Sequence, residues 1–192
     1  MFFRVCAASL CGVLLAACSG STGNVPAGSP VAFEQPVFSL TETSAGPIAP
    51  GTAYSQNNLQ ELFPDFTFQT VRTMTEGDVV FFIAGFKDGF QVFQAEPNTG
   101  NRTVARVHVV GPRAEGPNGE RIGMTFAETN GGAMDCTPGA EEWSGMAICK
   151  RTESRVSFIY APEQYTGPDG QLPSRPELRN ARIVRMVWDG RS

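Results

Sequence analysis

Val79-Val80-Phe81-Phe82-Ile83-Ala84 is an uninterrupted run of β-branched, aromatic and small apolar residues, and its reading decides the fold. It is bounded by Glu76-Gly77-Asp78 on one side and Lys87-Asp88-Gly89 on the other. Glycine accepts positive φ, and aspartate hydrogen-bonds its local backbone, so both tripeptides are expected to be hairpin turns. A run apolar on both faces is expected to be a central strand covered on both sides. Its hairpin partners are expected at residues 66–75 and 90–96. The next strand, 103–110, alternates: Ala105, Val107 and Val109 point one way, and Arg106 and His108 point the other.

Upstream, residues 37–41 read as a first strand and 53–63 as a short helix. Leu59, Leu62 and Phe63 stand at helical spacing, and Pro64 ends the helix because proline disfavours helical geometry in the residue before it. Downstream of a Pro/Gly-rich turn region at 112–120, residues 125–129 read as a helical turn, and 143–151, 155–161 and 181–188 as strands. Residues 104–110 resemble residues 181–187, with an arginine in each, a pattern compatible with a duplicated unit. Frequent strands with few helices predict a mainly β fold: an antiparallel, sandwich-like domain of two packed sheets with one or two short helices, spanning residues 36–192.

The chain opens Met1-Phe2-Phe3-Arg4, continues through an apolar run, and reaches Leu15-Ala16-Ala17-Cys18. A positive start, an apolar stretch of about 13 residues and small residues before a cysteine make a lipoprotein signal at 1–17. A bilayer core needs roughly 20 apolar residues, so the run is too short to span. Cys18 is the expected lipidation site, its thiol taking a diacylglyceryl group and its α-amino group, freed by cleavage, a further fatty acyl chain such as palmitate. Residues 18–35, rich in Gly, Ser and Pro, read as a flexible tether. Ser19 follows the lipidated cysteine, and sorting to the outer membrane is the expected outcome.

The net charge of −4 argues against nucleic acid as a partner. Of five cysteines, Cys6 and Cys11 leave with the signal and Cys18 carries lipid. Cys136 and Cys149 remain, and in an oxidising compartment a disulfide is the expected state. A zinc site would need about four ligands, and His108 is the only histidine. No metal or cofactor is expected.

Several segments together resemble the small lipoproteins described as RpoE-regulated, under the sigma-E envelope-stress response and of unknown function. They are Leu59-Gln60-Glu61-Leu62-Phe63, Ile122-Gly123-Met124-Thr125-Phe126-Ala127-Glu128, the Cys136 and Cys149 pair, Gly167-Pro168-Asp169-Gly170-Gln171-Leu172-Pro173-Ser174, and Ile183-Val184-Arg185-Met186-Val187-Trp188. The resemblance implies a periplasm-facing outer-membrane lipoprotein with a β-sandwich-like domain. That family has no established catalytic residues to carry over.

His108 is expected to be a surface strand histidine, since no motif sets a nucleophile or an orienting carboxylate beside it. Glu141-Glu142 are adjacent in a loop and cannot both flank one glycosidic bond, so they read as solvating the disulfide loop. Trp143 and Trp188 are expected in the core. Gly167, Pro168, Asp169, Gly170 and Pro173 form a stiff, exposed loop, the best candidate for recognition. The expected function is non-catalytic: a lipid-anchored domain facing the periplasm that binds an envelope protein or a cell-wall component. The alternatives are an inhibitor of periplasmic or host hydrolases and a peptidoglycan-acting enzyme. A cleft gathering His108 with a carboxylate would favour the enzyme.

Overall fold

Asp88 and Gly89 both adopt positive φ, 54° and 81°. Two consecutive left-handed residues make the turn whose twist suits a tight hairpin, so the chain folds back on itself here. In the computed structural model, which describes residues 35–75, 78–165 and 167–191, this turn belongs to a longer antiparallel series. In chain order the elements are β1 (Phe38–Ser39), α1 (Gln56–Leu62), β2 (Thr67–Thr75), β3 (Asp78–Lys87), β4 (Phe90–Pro97), β5 (Val104–Val109), β6 (Ala114–Glu115), β7 (Asp135–Pro138), β8 (Ala147–Lys150), β9 (Val156–Ala161), α2 (Arg175–Asn180) and β10 (Arg182–Asp189). Short 3-10 turns occupy Gly131–Ala133 and Glu141–Trp143. The signal, Cys18, the tether up to residue 34 and the turn residues 76–77 lie outside the described residues. Among the described residues no helix is long and apolar enough to cross a membrane.

The domain is mainly β, with an antiparallel sheet and two short helices. Eight strands form one sheet in the order β2-β3-β4-β5-β10-β9-β8-β7, and β1 pairs with β6 in parallel. The second packed sheet expected from strand frequency is therefore reduced to that two-stranded pair. The rest of the covering layer is α1 and irregular chain. Two four-stranded meanders, β2 to β5 and β7 to β10, meet where their last strands pair, with Val109 opposite Met186 and Val107 opposite Trp188. The two segments that resemble each other in sequence are thus neighbours at the middle of the sheet.

One face of the sheet carries the core. Phe93, Ala95, Val107, Val109, Met186, Trp188, Phe158 and Tyr160 are buried beneath Phe38, Leu40, Ile48, Leu59, Phe63 and Phe66. Phe93 is the hub, its ring centre 4.7 Å from that of Phe38 and 5.2 Å from that of Phe63. The helix α1 starts at Ser55, whose hydroxyl accepts from the Asn58 N–H, and it drives Leu59 into this cluster. The capping box at Ser174 and Glu177 starts α2, which pattern reading missed.

Three expectations are corrected. The run 79–84 is not central: β3 is second from the sheet edge, and Val79 and Phe81 are about half exposed because β4 pairs only as far as Ile83. The first strand is two residues, not 37–41, because its parallel partner β6 is itself two residues. The strand expected at 143–151 starts at Ala147; the backbone at Glu141–Trp143 instead coils into a 3-10 turn, with Trp143 N–H donating to Ala140 O.

Candidate functional site

Because side chains alternate along a strand, the residues between the core positions of β4, β5 and β10 all face the other way. Cross-strand register sets Glu96 beside Arg106, Gln94 beside His108, and Arg106 beside Asp189. Val187 pairs with His108, and Arg185 lies two positions further along β10 on the same face. His108 Nε2 lies 2.8 Å from Glu96 Oε2. Arg106 donates to both oxygens of the same carboxylate, at 3.0 and 3.2 Å.

A roof covers this face. The turn at Glu141–Trp143 brings Trp143 over the sheet, its ring centre 6.4 Å from the imidazole of His108. From β3, Phe82 stacks on His108 at 5.5 Å and 19°. The roof is anchored in three ways. The disulfide Cys136–Cys149 joins directly opposed residues of β7 and β8 at its base. Gly139 N–H donates to Met146 O, closing the loop. The Ser144 hydroxyl donates to the Asp169 carboxylate. Two clefts of about 420 and 370 Å³ open beside Trp143, and Trp143, Glu142 and Arg106 line both.

Burial, opposed by the Glu96 hydrogen bond, holds His108 below its ordinary range. Burial raises Glu96, but the hydrogen bonds and charges of His108 and Arg106 outweigh it and keep the carboxyl below its usual range. At neutral pH the cluster is therefore a carboxylate, a guanidinium and a neutral imidazole. With Nε2–H donating to Glu96, Nδ1 carries a lone pair, buried and without a hydrogen-bond partner. A carboxylate orienting an imidazole is half of a nucleophile-activating arrangement. Nδ1 reaches no hydroxyl, thiol or amine of the described residues, so the other half is not assembled. Among the described residues no group of three or more His, Cys, Asp and Glu is placed to hold a metal ion.

His108 does stand on the polar face beside Arg106, but it is 4 % exposed rather than a surface residue, because Phe82 and Trp143 cover it. Trp188 is fully buried in the core; Trp143 is not a core residue but a half-buried roof. Glu141 and Glu142 are exposed on the roof turn, as a solvating pair would be. In the candidate recognition loop, Gly167, Pro168, Asp169 and Gly170 are exposed while Pro173 is buried. Tyr165 stiffens that loop by donating to Pro168 O at 2.6 Å, and Asp169 ties it to the Trp143 turn. Sequence reading missed Glu96 and Arg185. Counting back from the tight turn at residues 98–101 would set Glu96 opposite Ala105; a bulge between Glu96 and Pro97 shifts it to Arg106, which the sequence does not announce. Arg185 occupies the position that the segment comparison equates with His108, and both line the same cleft.

The chain belongs to a family described as protein of unknown function (DUF1131), whose model matches residues 25–190. It is 23 % identical over 180 residues to the uncharacterized protein YfeY of Escherichia coli strain K12, an alignment covering 92 % of this chain and 93 % of that protein. The crystal structure of yfeY from Escherichia coli superposes with a TM-score of 0.61 at 20 % identity, covering 79 % of this chain and 99 % of that one. At that identity the likeness establishes a shared fold.

Proposed function

We propose that this chain is a lipid-anchored envelope protein whose β domain is a binding module, and that the cleft under Trp143 is where it holds its partner. The observation that carries this reading is the roof itself. A large, half-buried aromatic ring is held over a polar sheet face with part of its surface left open to the clefts, braced by a disulfide, a glycine-closed loop and the Asp169 tie. A concave site with an aromatic wall and a few fixed polar groups is the usual form of a binding pocket. The lipobox ending at Cys18 supports anchoring through acyl chains to the outer membrane, with the domain facing the periplasm. Resemblance to the sigma-E-regulated lipoproteins supports a role in envelope stress. An envelope protein or a cell-wall component is the partner class that fits this compartment, and no nucleic acid is invoked.

The test places a photocrosslinking residue at Glu142, on the cleft rim, in the lipidated protein in cells, with a second probe at Thr152 on the surface away from the roof. A discrete adduct from 142 that is absent from 152 supports the cleft. Equal adducts from both positions, or a wild-type protein found in the soluble fraction, would overturn the proposal.

One observation favours a second reading, an enzyme acting on cell-wall glycan: His108 is paired with a carboxylate inside a cleft. It requires His108→Ala to abolish complementation under envelope stress at unchanged abundance, whereas the binding reading requires Trp143→Ala to do so.

A further inference from the structure

Three arginines line the clefts beside Trp143, and two of them are already neutralised. Arg106 pairs with Glu96 at 3.0 Å, and Arg191 pairs with Asp189. Arg185 differs. It is half-buried, and among the described residues no carboxylate lies within 4 Å of it and its side chain has one hydrogen bond, to Gln94 Oε1 at 3.4 Å. A guanidinium carries five N–H donors in a planar fork, and withdrawing that charge from water without a partner is costly. Burial accordingly lowers the Arg185 pKa, with Glu142 the carboxylate whose charge opposes that shift.

Each element around Arg185 adds to the same description. His108, from β5, is neutral and brings no competing charge. Glu96, from β4, is engaged by Arg106 and His108. Trp143, from the roof, offers an apolar ring face, and Glu142 beside it is an exposed carboxylate able to accept from hydroxyl donors. A planar fork recognises carboxylate or phosphate oxygens in bidentate fashion, and an aromatic wall recognises the apolar face of a ring.

On the reading of this cleft as the binding site, we infer that its ligand is an acidic sugar: its carboxylate or phosphate is held by Arg185, its ring lies on Trp143, and its hydroxyls face Glu142. The anion completes a charge that the fold half-buries without a carboxylate in contact. The hydroxyls turn Glu142 from a repelling group into an acceptor, so simple anions without hydroxyls bind less well.

The chain has two tryptophans, which makes the test direct. Full-length protein in detergent, labelled at the indole nitrogens, is titrated with N-acetylmuramic acid, glucose 1-phosphate, N-acetylglucosamine and acetate, and the two indole resonances are followed by NMR. The resonance of Trp143 is expected to shift and saturate with an acidic sugar, while buried Trp188 stays in place as the internal control for folding. The uncharged sugar and acetate are expected to bind at least tenfold more weakly. Whether the carboxylate sugar or the phosphate sugar binds better identifies the source of the anion. Arg185→Gln is expected to lose at least tenfold in affinity for the acidic sugar and to lose the preference over N-acetylglucosamine, with Arg185→Lys intermediate. If N-acetylglucosamine binds as well as the acids, or if Arg185→Gln keeps the preference, the inference falls while a saturable Trp143 shift leaves the cleft standing. If none of the probes moves Trp143, the inference falls, and the crosslinking result at 142 decides the cleft separately.

Discussion

His108 Nε2 and Glu96 Oε2 stand 2.8 Å apart on neighbouring strands, the imidazole 4 % exposed and the carboxylate shared with Arg106. The imidazole is kept neutral by burial, not by isolation from charge, and this gives the fold a defined response to acid.

Stability is expected to fall as pH drops below about 6.5. In the unfolded chain His108 binds a proton near its ordinary value of 6.5, while the folded state resists it, so the unfolded state holds more protons and gains on acidification. Glu96 acts in the same direction lower down: its folded pKa lies below the ordinary 4.5, so the stability it contributes is present above that value and is lost as pH falls through the folded one. Urea denaturation across pH should show both segments, and His108→Gln should flatten the upper one and change the lower one less, because Arg106 still holds Glu96 down. A pH-independent midpoint between 7 and 5 would contradict the buried neutral imidazole.

Reduction of Cys136–Cys149 is expected to loosen the roof before the sheet. The bond joins edge strand β7 to β8, and the chain between its ends carries Trp143. Closing a loop of this length is worth ~3 kcal/mol in the chain-entropy model. The double Ser variant should lose about that much and broaden the Trp143 indole signal while leaving Trp188 sharp. Simultaneous loss of both signals would show that the bond supports the core instead.

Gly139→Ala is expected to displace Trp143. A Cβ at 139 would sit 2.1 Å from the carbonyl oxygen of Trp143, which is backbone and cannot rotate away. A cost of about 1–3 kcal/mol follows from such overpacking, accompanied by a changed Trp143 environment in fluorescence or NMR. An unchanged indole signal would mean that the loop has another way to close.

Arg151→Ala is expected to cost about 2 kcal/mol. Glu120 is 2 % exposed and takes an Arg151 hydrogen bond at 2.7 Å, and the guanidinium also lies over the Phe158 ring at 5.8 Å. Removing the cation leaves a buried carboxylate held by Asn118 alone. Thermal or urea unfolding measures the loss, and Glu120→Gln in the Arg151→Ala background should recover part of it.

Local chemistry decided a definite share of this molecule. Asp88-Gly89 announces its turn in any context, because two left-handed residues leave no other economical path. The alternation in 103–110 put Val107 and Val109 in the core and Arg106 and His108 on the polar face, although the bulge opposite Glu96 and Pro97 gives the core cluster Val104 in place of Ala105; the cysteine count named the pair that the structure bonds. The parts that sequence reading missed or misplaced all depend on contacts between distant residues. His108 is buried by Phe82 from 26 positions before it and Trp143 from 35 positions after it; neither is visible from Val107 and Val109 beside it. Trp143 looked like a core aromatic because aromatics usually are, but its turn lies across the polar face instead. The pairing of β5 with β10, which sets Arg185 beside His108, joins segments nearly eighty residues apart. Turns and side-chain alternation follow from the backbone geometry of a few consecutive residues. Burial, and the protonation state that follows from it, depends on what the rest of the chain lays on top.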